Sequence, residues 1–211
     1  MATTTAELVS VSPATLEPVG SVRATEPAQV PELVARVAAA QRAWREAGPG
    51  ERSHVLRDAV RVLRARADEI VATVGAETGK PGTEALTQDL YPAVDHAAWL
   101  ARHGARLLRD ERVRFQQLHL KTKRAWLVQE PLGVVAAITP WNIPFGIPFT
   151  EVATGVAAGN GVVVKPSELT PLSADWVTRV LQEAAAPAGL VQVAHGGAPV
   201  GEALVGDDGI A

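Results

Sequence analysis

Two short segments carry the side chains best placed for chemistry. Thr139-Pro140-Trp141-Asn142-Ile143-Pro144 follows the apolar run Gly133-Val134-Val135-Ala136-Ala137-Ile138, and Lys165-Pro166-Ser167-Glu168 follows a second run, Gly161-Val162-Val163-Val164. Short unbroken apolar runs read as parallel strands buried on both faces, and open α/β sheets bind ligands at the carboxyl ends of such strands. Prolines stiffen the first segment, so the amide of Asn142 could donate a hydrogen bond to a developing oxyanion. The same asparagine could instead cap the helix that follows. In a dinucleotide fold, an acid at the end of the second strand accepts hydrogen bonds from the adenosine ribose hydroxyls, and a neighbouring cation can donate to the same sugar. Glu168 and Lys165 stand in those places; the competing reading is a polar strand end that caps the helix starting at Thr170-Pro171.

Other chemistries find little footing. Gly75-Ala76-Glu77-Thr78-Gly79-Lys80-Pro81 has the look of a phosphate loop, but it is one residue short and Pro81 stands where Ser or Thr must reach a magnesium ion. A helix C-terminus is the better reading. No GxGxxG follows the first buried strand; Gly196-Gly197 and Gly201 follow the third instead. The five histidines are scattered, and His96 and His103, the two that share a helix, stand two turns apart, so no metal site is read. No serine lies in a GxSxG elbow. The chain contains no cysteine, which removes thiolate nucleophiles, redox pairs and thiolate metal sites from its 211 residues.

The elements that must position these residues follow from periodicity. Leu8–Ser12 and Val19–Arg23 read as a hairpin or extended arm. Helical stripes come next: Leu33, Val34, Val37, Ala40 and Trp44, then a longer one from Val55 to Val74 stopping at Gly79, then a third helix over Thr83–Leu108. Alternation from Val113 to Gln129 predicts a two- or three-strand antiparallel element. Beyond it strands and helices alternate: strand to Ile138, helix Pro144–Ala158, strand Gly161–Lys165, helix Pro171–Ala185, strand Leu190–Ala194, helix Pro199–Val205, and Ile210-Ala211 as the start of a fourth strand. That is the α/β class, one half of a doubly wound, Rossmann-like parallel sheet. A chain stopping two residues into a strand reads as truncated.

Composition agrees with a packed core: 47% hydrophobic residues against 20% charged, net charge −3. Residues 1–130 carry 18 Lys+Arg against 16 Asp+Glu and residues 131–211 carry 2 against 7, so neither part has the basic patch of a nucleic-acid surface. Met1-Ala2-Thr3-Thr4-Thr5 lacks a basic and apolar leader, and Pro131, Pro140, Pro144 and Pro148 break the longest uncharged run, so a cytoplasmic location away from membranes is expected.

Taken in order, Glu77-Thr78-Gly79-Lys80-Pro81, Glu130-Pro131-Leu132-Gly133-Val134-Val135, Ile138 through Pro144, Ala157-Ala158-Gly159-Asn160, Val163 through Pro171 and Pro187-Ala188-Gly189-Leu190 resemble the aldehyde dehydrogenase superfamily. The resemblance covers the chain from about Ser12, but family members are more than twice as long, so it extends only to their N-terminal, cofactor-binding part. It implies NAD(P)-dependent oxidation of an aldehyde to a carboxylate. Asn142 would stabilise the oxyanion of a thiohemiacetal, Lys165 and Glu168 would hold the adenosine ribose, and Ile138, Thr139, Pro140 and Trp141 would line the cofactor groove. Glu168 favours NAD by repelling a 2′-phosphate, while Lys165 and Ser167 could accept one, leaving NADP open. Gly201 matches the loop after the third strand; Ala198 replaces the second glycine of the family's Gly-x-Gly. The implied organisation is an N-terminal arm and helical part over 1–111, oligomerisation-type strands over 112–129 and the first half of the NAD(P)-binding sheet over 130–211, with the catalytic domain absent.

The family's cysteine nucleophile and its deacylating glutamate from a Glu-Leu-Gly-Gly segment have no counterpart in these residues. The leading expectation is therefore the N-terminal part of an enzyme that is a homo-oligomer when full length, inactive as this chain alone. The competing expectation is a non-catalytic nucleotide-binding or assembly module.

Overall fold

The computed structural model describes residues 7–211; the leader reading at Met1–Thr5 and the first residues of the arm lie outside the described residues. The chain opens with strands β1 (Glu7–Val11) and β2 (Pro18–Arg23), paired antiparallel with an irregularity between Ser10 and Val11. Helix α1 (Val30–Glu46) buries Val30, Leu33, Val34, Val37, Gln41 and Trp44, a single stripe at three- and four-residue spacing. The long stripe from Val55 to Val74 is not one helix but two, α2 (Pro49–Ala65) and α3 (Ala67–Thr78). Arg66 at φ −101°, ψ 13° bends the chain between them without interrupting the buried face. Gly79, at φ 73°, closes α3 in the left-handed conformation that favours glycine.

The third predicted helix is also subdivided. It consists of α4 (Gly82–Ala85), a π-helical turn (Leu86–Leu90) and α5 (Tyr91–Leu107), whose small buried residues Ala93, Ala97, Ala101 and Gly104 let α2 and α6 approach closely. The segment after it is less regular than its alternation suggested. Strands β3 (Glu111–Val113) and β4 (Ala125–Leu127) pair antiparallel, but Leu118–Leu120 forms a 3-10 turn rather than a strand.

The remainder is the parallel sheet: β5 (Val134–Ile138), α6 (Gly146–Ala158), β6 (Gly161–Lys165), α7 (Pro171–Glu183), β7 (Val191–Val193) and α8 (Ala198–Val205). The strand order is β7-β6-β5, and Ile210 forms a parallel bridge to Val134 on the far side of β5, so three strands and the start of a fourth are present. Strand β6 is buried at all five positions. Its side chains alternate between two cores. Val162 and Val164 join Trp44, Leu56, Phe149 and Val177 on the face covered by α6 and α7, whereas Val163 joins Val34, Val37, Val200 and Leu204 on the face covered by α1 and α8. Helices on both faces are what a parallel sheet of this kind requires. Among the described residues, no helix is long and apolar enough to cross a membrane.

Candidate functional site

At the carboxyl edge of the sheet the loops after β5, β6 and β7 come together. The ends of β5 and β6 are tied by the Thr139 N–H, which donates to the Lys165 carbonyl at 3.0 Å. Ile138, Pro140, Trp141 and Asn142 are exposed along this edge, while Thr139 is buried with its Oγ1 unpartnered among the described residues. Among the described residues no hydrogen bond to the exposed Asn142 side chain is seen. It does not cap α6. That role belongs to Asp89, whose Oδ1 accepts the N–H groups of Phe145 and Gly146 at 3.2 Å each. The amide of Asn142 is thereby left free to meet a ligand.

Lys165 is buried, and its ammonium donates to the carbonyls of Pro166 at 2.8 Å and Gly196 at 2.6 Å. Burial pushes its pKa below the ordinary lysine value, and the Glu168 carboxylate, 3.9 Å from Nζ, draws it partly back. Glu168 itself is exposed. Its neighbour Ser167 accepts the Leu169 N–H at 3.2 Å, which folds the loop into a turn, so this loop does not cap α7 either. The cap of α7 is Glu77: its carboxylate accepts the Leu172 N–H at 2.9 Å, the Ser173 N–H at 2.7 Å, the Ser173 hydroxyl at 2.6 Å and the Ser10 hydroxyl at 2.8 Å.

Glycine shapes the third side of the edge. A Cβ at Gly201 would lie 3.3 Å from Lys165 Cδ and 3.9 Å from Ile138 Cδ1, so α8 rests directly on the Lys165 stem. A Cβ at Gly197 would stand 3.8 Å from Glu168 Oε1. The structure thus brings Ile138, Lys165, Glu168 and Gly201 into one neighbourhood, with Trp141 and Asn142 on the adjoining loop. One groove, of about 390 Å³, is lined by Trp141, Glu168, Leu169 and Thr170 together with Val9 and Val11 of the hairpin. A second, of about 450 Å³, runs along the outer edge of β5 past Ile138, Thr139, Glu151 and Thr154.

The donor set fits a dinucleotide. An exposed carboxylate at the end of the second strand suits ribose hydroxyls, the glycine cradle admits close approach, and the Thr139 hydroxyl has hydrogen-bonding capacity unused. Sequence reasoning missed the two buried carboxylates behind the site, Asp89 and Glu77. It also missed His195, whose Nε2 lies 2.8 Å from Asp175 Oδ1 at the end of β7. Glu77 lay in a quoted motif without a role; Asp89 carried no signal beyond an acid among apolar neighbours.

Comparison with known proteins gives a consistent picture. The model of the aldehyde dehydrogenase family matches residues 1–211. An aldehyde dehydrogenase from Brucella melitensis biovar abortus 2308 is 30% identical with a TM-score of 0.91, over 97% of this chain and 42% of that one. A Mycobacterium tuberculosis aldehyde dehydrogenase complexed with NAD+ is 31% identical with a TM-score of 0.91, over 99% and 42%. An NADP dependent enzyme of E. coli is 29% identical with a TM-score of 0.90, over 97% and 42%. The chain therefore spans about two fifths of the length of these solved structures.

Proposed function

This chain belongs to the aldehyde dehydrogenase family, and on that premise we propose that it forms the dinucleotide-binding part of an enzyme oxidising an aldehyde to a carboxylate, with NAD preferred over NADP. The observation that carries the reading is the edge where Lys165, Glu168, Gly201 and Ile138 meet, with Asn142 on the loop after β5. Glu168 offers its carboxylate to the ribose hydroxyls. Lys165, already engaged by two carbonyls, holds that loop against Gly196 rather than presenting a free ammonium to a 2′-phosphate. Trp141 lines the groove shared with Glu168, Ile138 and Thr139 line the one along β5, Pro140 stands between them in sequence, and Ser167 keeps Glu168 in its turn. When bound, the nucleotide supplies the hydride acceptor. Asn142 donates its amide N–H to the carbonyl oxygen as that oxygen gains charge, a contact worth roughly 10²–10³ in rate where such donors have been removed.

With no cysteine in its sequence, the chain by itself binds nucleotide without turning over aldehyde. The same absence favours the second reading, a binding module that takes no part in oxidation. Calorimetric titration of the chain with NAD and NADP tests the cofactor assignment. NAD is expected to bind about tenfold tighter, and Glu168→Gln should erase most of that difference. Equal affinity for the two nucleotides in the unmodified chain would remove the argument from Glu168, and failure to bind either would remove the dinucleotide reading itself.

A further inference from the structure

The loop bearing Asn142 is fixed at both ends, and at its helical end by a group from far away in the chain. Asp89 lies in the π-helical turn Leu86–Leu90 with no solvent exposure. Such turns widen the backbone by one residue and often occur at functional sites. Asp89 points at the start of α6, where Oδ1 receives the Phe145 and Gly146 N–H groups, while Oδ2 receives the Lys80 ammonium at 2.8 Å. Gly146 permits this contact, because a Cβ there would lie 2.9 Å from the Asp89 carbonyl oxygen. At its other end the loop is held by Thr139 on Lys165. Between these anchors the Asn142 side chain has no hydrogen bond of its own among the described residues, so its placement is inherited from them.

We propose that Lys80 and Asp89 form the positioning pair for Asn142, setting where its amide stands at the sheet edge. The consequence for catalysis rests on the reading of Asn142 as the oxyanion donor; the mechanical coupling does not. Lys80 matters because its ammonium is paired at 2.8 Å with a fully buried carboxylate, and removing one partner of a buried pair leaves the other uncompensated at the point where it holds two N–H groups. Removing the ammonium loosens the first turn of α6 and releases the loop before it. A pair that served stability alone would lower the melting temperature and leave the side-chain amide of Asn142 unchanged in the folded protein.

The test is nitrogen-15 NMR on the 211-residue chain, well below its melting temperature, comparing Lys80→Met, Lys80→Arg and Asp89→Asn with the unmodified protein. In Lys80→Met, amide exchange at Phe145 and Gly146 is expected to rise about tenfold or more, and the Asn142 side-chain amide signals are expected to shift. Lys80→Arg restores both toward the original values. Asp89→Asn, as a second variant should Lys80→Met not fold, displaces the Asn142 signals in the same way. Asn142 signals that stay in place in the folded variants would overturn the proposal, even if exchange at Phe145 and Gly146 increased. No nucleotide or aldehyde takes part, so that result would leave the functional reading standing, whereas failure of the chain to bind NAD would leave the positioning pair standing.

Discussion

Asn142 lies in the loop after β5 and Lys165 ends the adjacent strand β6, yet among the described residues the first is exposed and unbonded while the second is buried and doubly bonded. The contrast separates their effects on stability. Asn142→Ala removes no intramolecular hydrogen bond and opens no cavity, so it should change unfolding free energy by less than about 0.5 kcal/mol, measured by urea denaturation. Lys165 gives the chain a pH dependence of definite sign. Its pKa lies below the ordinary 10.5 in the folded protein, so across that interval the unfolded chain binds more protons than the folded one. Stability contributed through Lys165 therefore rises as pH climbs from the lowered value towards 10.5. Thermal melts over that alkaline range should show the unmodified protein gaining on Lys165→Met; a constant difference would contradict the assignment.

At the scale of elements, two helices of the sheet, α6 and α7, are capped from outside their own sequence neighbourhood. Glu77 closes α7 across 95 to 96 positions and Asp89 closes α6 across 56 to 57. Glu77→Ala leaves the N–H groups of Leu172 and Ser173 without their carboxylate and should cost about 3 kcal/mol, read from the shift of the urea midpoint. These distances also explain what was legible beforehand. Strand β6 could be read to the residue because burial on both faces makes Gly161–Val164 an uninterrupted apolar run, bounded by Asn160 before it and by Lys165-Pro166 at its end. The break at Arg66 could not, since the buried stripe runs on through it into α3. Leu118 and Leu120 mimicked a strand because a 3-10 turn of three residues also spaces two apolar side chains by two. Asn142 and Glu168 were found as candidates from their place after buried strands. Their freedom from capping was not, because that depends on two acids whose partners no local pattern identifies.

For the molecule as a whole, the ribbon β3–β4 stands apart from both cores. Val113, Leu118, Trp126 and Leu127 are exposed, and the two strands pair chiefly with each other. Since Glu111 and Leu127 face each other across the ribbon, residues 112–126 can be replaced by a two-glycine link, and the melting temperature should move by no more than about 3 °C. A larger loss by calorimetry would mean that the ribbon supports the cores after all. The outer edge of β5 is the other open feature. The Val134 carbonyl receives the Ala211 N–H at 2.9 Å on that side, and by the alternation of a parallel ladder Ala136 and Ile138 direct their backbone groups the same way.

The long reach of the two caps bears on the order in which the chain acquires its shape. Synthesis delivers Glu77 and Asp89 before any residue of α6 or α7 leaves the ribosome. The first turns of α6 and α7 therefore rest on carboxylates that precede them in the chain, so neither helix start is complete unless the helical part before the sheet is in place.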